Sequence, residues 1–137
     1  MAKIKMNWKG ENLFESNQGD NTIMIDAPAE GVESIGVRPK ALMLSSLAGC
    51  GALDIVSLLK KMRAEVDDFK VEVTAELTDE HPKIYKDVVV TYQFFGSDFK
   101  KDKIQKAVDL SVERYCGVME MFRKFTDVTV NVEYIEQ

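Results

Sequence analysis

Histidine occurs once, at His81, and cysteine only twice, at Cys50 and Cys116. No C-x-x-C pair exists, which excludes a thioredoxin-type motif and a paired-cysteine zinc knuckle. His81 lies in a polar turn before Pro82 and reads as a solvated residue. A metal site drawn from Cys50, Cys116, His81 and a carboxylate exists in composition only, because no local spacing supports it. No metal and no cofactor are therefore expected. Positive charge is short as well: 18 Lys and Arg against 23 Asp and Glu leave a net charge of −5. That excludes a nucleic-acid surface, which needs clustered basic residues. Gly-rich phosphate loops, a Walker motif and a Ser-His-Asp set are all missing. The first ten residues hold no apolar signal core, so a cytoplasmic location is expected. In that compartment two well-separated cysteines rest as thiols. There is no internal repeat, low-complexity tract or linker, and 137 residues suit a single domain, 1–137.

One long apolar run is present, from Ala41 to Leu59. It approaches the length of a membrane span. Asp54, three serines and two glycines interrupt it, so a buried helix of a soluble domain is expected rather than a membrane partner. Pro39 marks the start of this helix, where its missing N–H costs nothing. Lys60, Lys61 and Arg63 mark its end, beside the partial negative charge of the last carbonyls. Its apolar residues cover most of the circumference, which predicts burial on nearly all sides. Cys50 lies mid-helix between Gly49 and Gly51. Each glycine there costs about 0.5–1 kcal/mol against alanine. Close approach of another backbone or a small ligand to Cys50 would explain both.

Around this helix the chain alternates. Residues 2–9 put Ala2, Ile4, Met6 and Trp8 on one side and predict a half-buried strand. Leu13–Ser16 and Thr22–Asp26 follow as short strands, and residues 27–37 form a loop leading to the helix. After it, Phe69 to Leu77 and Val88 to Phe94 predict two longer strands. Ile104 to Tyr115 repeats at three- and four-residue steps as a second helix. A break at Tyr115-Cys116-Gly117, a short helical segment to Phe125 and a closing strand from Val128 to Tyr134 complete the chain. The expected class is α+β, with a mostly antiparallel sheet packed on the long cysteine helix and a second helix. Such a sheet covers only one face of the long helix. A large apolar patch is rare on a monomer, so a second copy of the chain is the expected cover, giving a homodimer.

The residues alone leave the chemistry open. Cys50 lies about three turns into its helix, beyond the reach of the terminal dipole. Asp54 follows at i+4 on the same face and would raise a thiol pKa. On these grounds Cys50 is an inert core cysteine. Cys116, at a helix break, stands between a buried small residue and a reactive thiol. Met43, Met62, Met119 and Met121 read as core fillers.

Several motifs together resemble one family. Ala41-Leu42-Met43-Leu44-Ser45-Ser46-Leu47-Ala48-Gly49-Cys50 with Asp54-Ile55-Val56 and Leu59-Lys60-Lys61 is similar to the cysteine helix of the OsmC/Ohr proteins. His81-Pro82-Lys83, Gly96, Leu110-Ser111 and Arg114-Tyr115-Cys116-Gly117-Val118 follow in that family's order. The match is nearest to a small OsmC-like branch with His-Pro in the hairpin and Tyr-Cys at the second cysteine. The resemblance implies two chains intertwined as a homodimer, with buried central cysteine helices and active sites at the interface. It implies a stress-response thiol peroxidase acting on organic hydroperoxides. Cys50 would attack, Cys116 would resolve it as a disulfide, and an external dithiol reductant would reduce that disulfide. Hydroperoxide reductases of the family also use an arginine from the amino-terminal hairpin and a glutamate after the helix proline. Here Lys40 follows Pro39 and no arginine precedes Arg38. Arg38 is the nearest substitute, supplied from the partner chain, with Arg114 a weaker one. Those departures keep two alternatives: a non-catalytic interface pocket for an apolar small molecule, and a redox-responsive dimer of the same fold.

Overall fold

Tight turns divide the first positions into a three-stranded antiparallel meander of β1 (Lys5–Trp8), β2 (Leu13–Gln18) and β3 (Asn21–Asp26). Gly10 at φ 100° and Gly19 at φ 58° take the left-handed conformations these turns need. The computed structural model describes residues 1–137, and its contacts gather into two units, Met1–Met43 and Leu44–Gln137. The first unit holds the meander and the loop that follows it. β1 differs from expectation: it is exposed along its whole length, so its alternation buries no face within the meander.

The loop over residues 27–37 is fastened to β3 through one carboxylate. Asp26 accepts hydrogen bonds from the Ser34 hydroxyl at 2.9 Å and from the backbone N–H groups of Ile35 at 2.9 Å and Gly36 at 3.1 Å. Met24 accepts the Val37 N–H at 2.9 Å, and the Asp26 N–H reaches the Val37 carbonyl at 3.1 Å. Gly36 has to be a glycine here, since a Cβ would stand 2.7 Å from the Met24 carbonyl oxygen.

Helix α1 spans Pro39–Met62, close to the expected bounds. Its end is set by geometry as well as charge. Arg63 adopts φ 56°, its N–H donates to the Lys60 carbonyl at 3.2 Å, and the Ala64 N–H donates to that of Leu59 at 2.9 Å. This is the Schellman closure, with arginine where glycine is usual. The ammonium groups of Lys100 and Lys103 cap the carbonyls of Arg63 and Met62 at 2.9 and 3.0 Å.

The second unit is a three-stranded sheet with helices. β4 (Asp68–Leu77) pairs antiparallel with β5 (Tyr85–Gly96), and β5 pairs parallel with β6 (Val128–Glu136). The connection makes the parallel closing strand possible. Parallel neighbours need a long crossover, supplied here by α2 (Lys101–Leu110), a π-helical turn (Ser111–Tyr115) and α3 (Gly117–Arg123). Central β5 buries Val88, Val90, Tyr92 and Phe94 in strict alternation. They pack with Leu47, Ile55 and Leu59 of α1, Ile104, Ala107 and Val108 of α2, and Met119 and Phe122 of α3. Each fully buried valine, leucine, isoleucine, methionine or phenylalanine among them is worth about 1.5–3 kcal/mol. Phe69 stacks on Phe94 with ring centroids 4.7 Å apart.

Burial of α1 on nearly all sides is not what this chain achieves alone. Only the stripe Leu47, Gly51, Ile55 and Leu59 is buried, while Leu53 is 76% and Val56 54% exposed. By length and composition alone the helix is apolar enough to cross a membrane. The methionines also divide. Met119 is buried and Met62 packs against the core, whereas Met43 and Met121 are exposed.

Candidate functional site

Cys50 and Asp54 share one face of α1, a single turn apart. Cys116 stands where the π-helical turn ends and α3 begins. Its N–H closes the π turn on the Ser111 carbonyl at 2.8 Å, and its sulfur accepts the Met119 N–H at 3.3 Å. Folding brings these residues together: the two sulfurs and an Asp54 carboxylate oxygen all lie within 4.8 Å of one another. Both cysteines are free thiols, Cys50 half-buried and Cys116 buried.

Two further polar groups complete the site. Ser111 is fully buried, and its hydroxyl is shared between Asp54 Oδ2 at 3.2 Å and the Gly51 carbonyl at 3.4 Å. It opens the π-helical turn, a distortion frequent at functional sites. Tyr92 of β5 is fully buried, and its hydroxyl has no hydrogen-bond partner. A Cβ at Gly51 would lie 2.6 Å from that hydroxyl, so Gly51 leaves the room it occupies. The neighbouring Gly49 faces open space within this chain.

The electrostatics follow from burial among potential anions. Burial, then the hydrogen bond with Cys50, pushes the Cys116 thiol up to about 11, and the charges of Cys50 and Asp54 add to this. Only the Met119 N–H works the other way. Burial, followed by the charges of Cys116, Cys50 and Asp54, pushes the Tyr92 phenol up to about 12. Here the helix-break argument for a low-pKa Cys116 is outweighed by desolvation.

The other sequence candidates lie elsewhere. Arg38 immediately precedes α1 in the first unit, where its charge acts on Asp26. Arg114 is exposed and rests over the ring of Tyr115 at 5.9 Å. His81 is exposed in its turn. Tyr92 carries no sequence signal of a site, and Ser111 only its place in the Leu110-Ser111 family motif: a tyrosine in a strand and a serine on an apolar helix face look like packing.

Residues 31–131 match the family described as OsmC-like protein. The chain belongs to the OsmC-like family. Protein YhfA of Escherichia coli K12 is 35% identical over 123 residues, covering 90% of this chain and 89% of that protein. A hypothetical protein from Aquifex aeolicus has a TM-score of 0.87 at 27% identity, over 100% of this chain and 98% of that one. The organic hydroperoxide resistance protein OhrB of Bacillus subtilis has a TM-score of 0.68 at 19% identity, over 97% and 98% of the two chains, a likeness of fold. The OsmC-like fold and the close cysteine pair together fit a redox role.

Proposed function

We propose that this OsmC-like protein is a two-cysteine thiol peroxidase that reduces organic hydroperoxides in the cytoplasm, working as a homodimer. The observation that supports this most is the approach of the Cys50 and Cys116 sulfurs to within 4.8 Å. A disulfide is about 2.05 Å long, so the two sulfurs have to close the remaining gap for the bond to form.

The two sulfurs differ in the sense the chemistry requires. Cys50 is half-buried and accessible to a peroxide, whereas Cys116 is buried and keeps its proton at neutral pH. The Cys50 thiolate attacks the nearer peroxide oxygen, the O–O bond breaks, and the alkoxide leaves as an alcohol after taking a proton. Cys50 is then a sulfenic acid. The Cys116 sulfur attacks it, its thiol proton leaves with the hydroxide as water, and a disulfide forms. An external dithiol supplies two electrons and two protons to restore both thiols. Activation of Cys50 needs a cation beside it, and Arg38 from a partner chain is the group assigned to that task.

Titrating the reduced protein with a small alkyl hydroperoxide tests this directly. Both thiols per chain should disappear, with one peroxide consumed. Cys50→Ser should be inert, and Cys116→Ser should leave a sulfenic acid that dimedone traps. Retention of both thiols with peroxide unconsumed would overturn the proposal.

A further inference from the structure

Asp54 has no task in peroxide reduction. A carboxylate beside a thiol disfavours the thiolate that must attack. Nevertheless Asp54 is held in place by the buried Ser111 hydroxyl at 3.2 Å, with its carboxylate within 4.8 Å of both sulfurs. Fully ionised, the trio would gather three negative charges in a partly buried space. Beside them, the Tyr92 hydroxyl is fully buried and has no partner. Two thiols, a fixed carboxylate and an unpartnered phenol are a poor arrangement for an empty core and a good one for a cation.

We propose that Cys50, Asp54 and Cys116 bind one thiophilic divalent cation, Zn²⁺, when the cysteines are reduced. Thiolates favour Zn²⁺ over the oxygen-seeking Mg²⁺ and Ca²⁺. A zinc ion sits about 2.3 Å from sulfur and about 2.0–2.2 Å from carboxylate oxygen, so tetrahedral ligand atoms stand somewhat under 4 Å apart. Atoms already within 4.8 Å of one another stand close to that spacing. The layout also follows a known economy, in which two ligands at i and i+4 share a helix face and the third comes from elsewhere in the chain. Here α1 carries the pair, and the start of α3 carries the third. Binding exchanges two protons for the metal: Zn²⁺ and two thiols give a zinc dithiolate and two H⁺. Asp54 adds the third ligand, and a water takes the fourth position, where the Tyr92 hydroxyl can partner it.

The site uses the same two sulfurs as the proposed peroxidase, but neither chemistry requires the other. Disulfide formation and zinc binding exclude each other, because a disulfide has no thiolate to give.

Anaerobic titration of the reduced protein with Co²⁺, a spectroscopic substitute for Zn²⁺, provides the test. The expected result is a thiolate-to-cobalt charge-transfer band with tetrahedral ligand-field bands, saturating at one cobalt per chain and bleached by added Zn²⁺. Zn²⁺ should also shield Cys50 of the wild-type protein from iodoacetamide, a readout that needs no variant. Asp54→Asn keeps an acceptor for Ser111 and should weaken cobalt binding by about tenfold or more. Wild-type protein that shows no charge-transfer band, or a Cys50 thiol that Zn²⁺ does not shield, overturns the site. So does unweakened binding in a folded Asp54→Asn or Cys116→Ser protein. Peroxide consumption by a protein that binds no cobalt overturns the metal site and leaves the peroxidase standing. Cobalt binding by a protein inert to peroxide does the reverse.

Discussion

The hydroxyl of Tyr92 fills the space that a side chain at position 51 would need: a Cβ on Gly51 would lie 2.6 Å from it. Tyr92 cannot swing away, because its ring is packed in the core beside Phe69. Gly51→Ala should therefore destabilise the protein by about 1–3 kcal/mol, the usual cost of overpacking. Removing the hydroxyl should relieve the clash, since the remaining ring atoms would be at 3.5 Å or more. In urea unfolding, the double variant Gly51→Ala with Tyr92→Phe should recover most of what the single variant loses. Tyr92→Phe alone should be neutral or stabilising by about 1 kcal/mol, because it removes an unpaired buried polar group.

Cys116 gives the protein a pH dependence of definite sign. Its folded value, raised to about 11, lies above the ordinary thiol value of about 8.5. Its contribution to stability is full below the unfolded value and is lost as the pH rises from there toward 11. The unfolding free energy from denaturant titrations at pH 8 and above should fall, by an amount on the order of 2 kcal/mol near pH 11. Cys116→Ala should show a shallower fall. Iodoacetamide mapping should find Cys116 almost unreactive at pH 8.

Asp26 acts at the opposite end of the pH scale. Burial pushes its carboxyl up, but the Ile35 N–H, the Ser34 hydroxyl, the Gly36 N–H and the Arg38 charge together hold it below the ordinary aspartate value. A depressed value means a contribution present above the ordinary range and lost as the pH falls through the folded value. Asp26→Ala should release the loop over residues 27–37, seen as faster proteolysis there at neutral pH. The wild-type loop should become comparably sensitive only in acid.

The exposed stripe of α1 bears on the proposed dimer. Leu53 and Val56 are 76% and 54% exposed in the single chain. On a monomer, Leu53→Lys would change stability by no more than about 0.5 kcal/mol. With a second copy seated on the stripe it buries an unpaired charge, which costs far more. Sedimentation should show a dimer for the wild-type protein and monomers, with lower stability, for Leu53→Lys. A wild-type monomer would remove the second chain from the proposal.

Local order was legible in the residues because local rules produce it. Alternation from Phe69 to Ala75 marks β4, and Pro39 with Lys60 and Lys61 brackets α1 to within a residue or so. The family was legible too, from motifs spread along the chain. Pattern failed where burial depends on a neighbour: β1 alternates but is exposed throughout, and α1 is apolar nearly all round but buried on one stripe. The parallel pairing of β6 with β5 was equally hidden, since alternation does not encode strand direction.

The sequence by itself determined which segments become strands and helices, and that Cys50 and Asp54 share a face, because both follow from periods of two and 3.6 residues. Only the tertiary structure decided that Cys116 joins them within 4.8 Å, with Ser111 fixing Asp54 and the Tyr92 hydroxyl left unpaired nearby. Those meetings depend on how the α2–α3 crossover packs across β5 and α1. That packing is settled by the whole core at once, and no spacing along the chain records it.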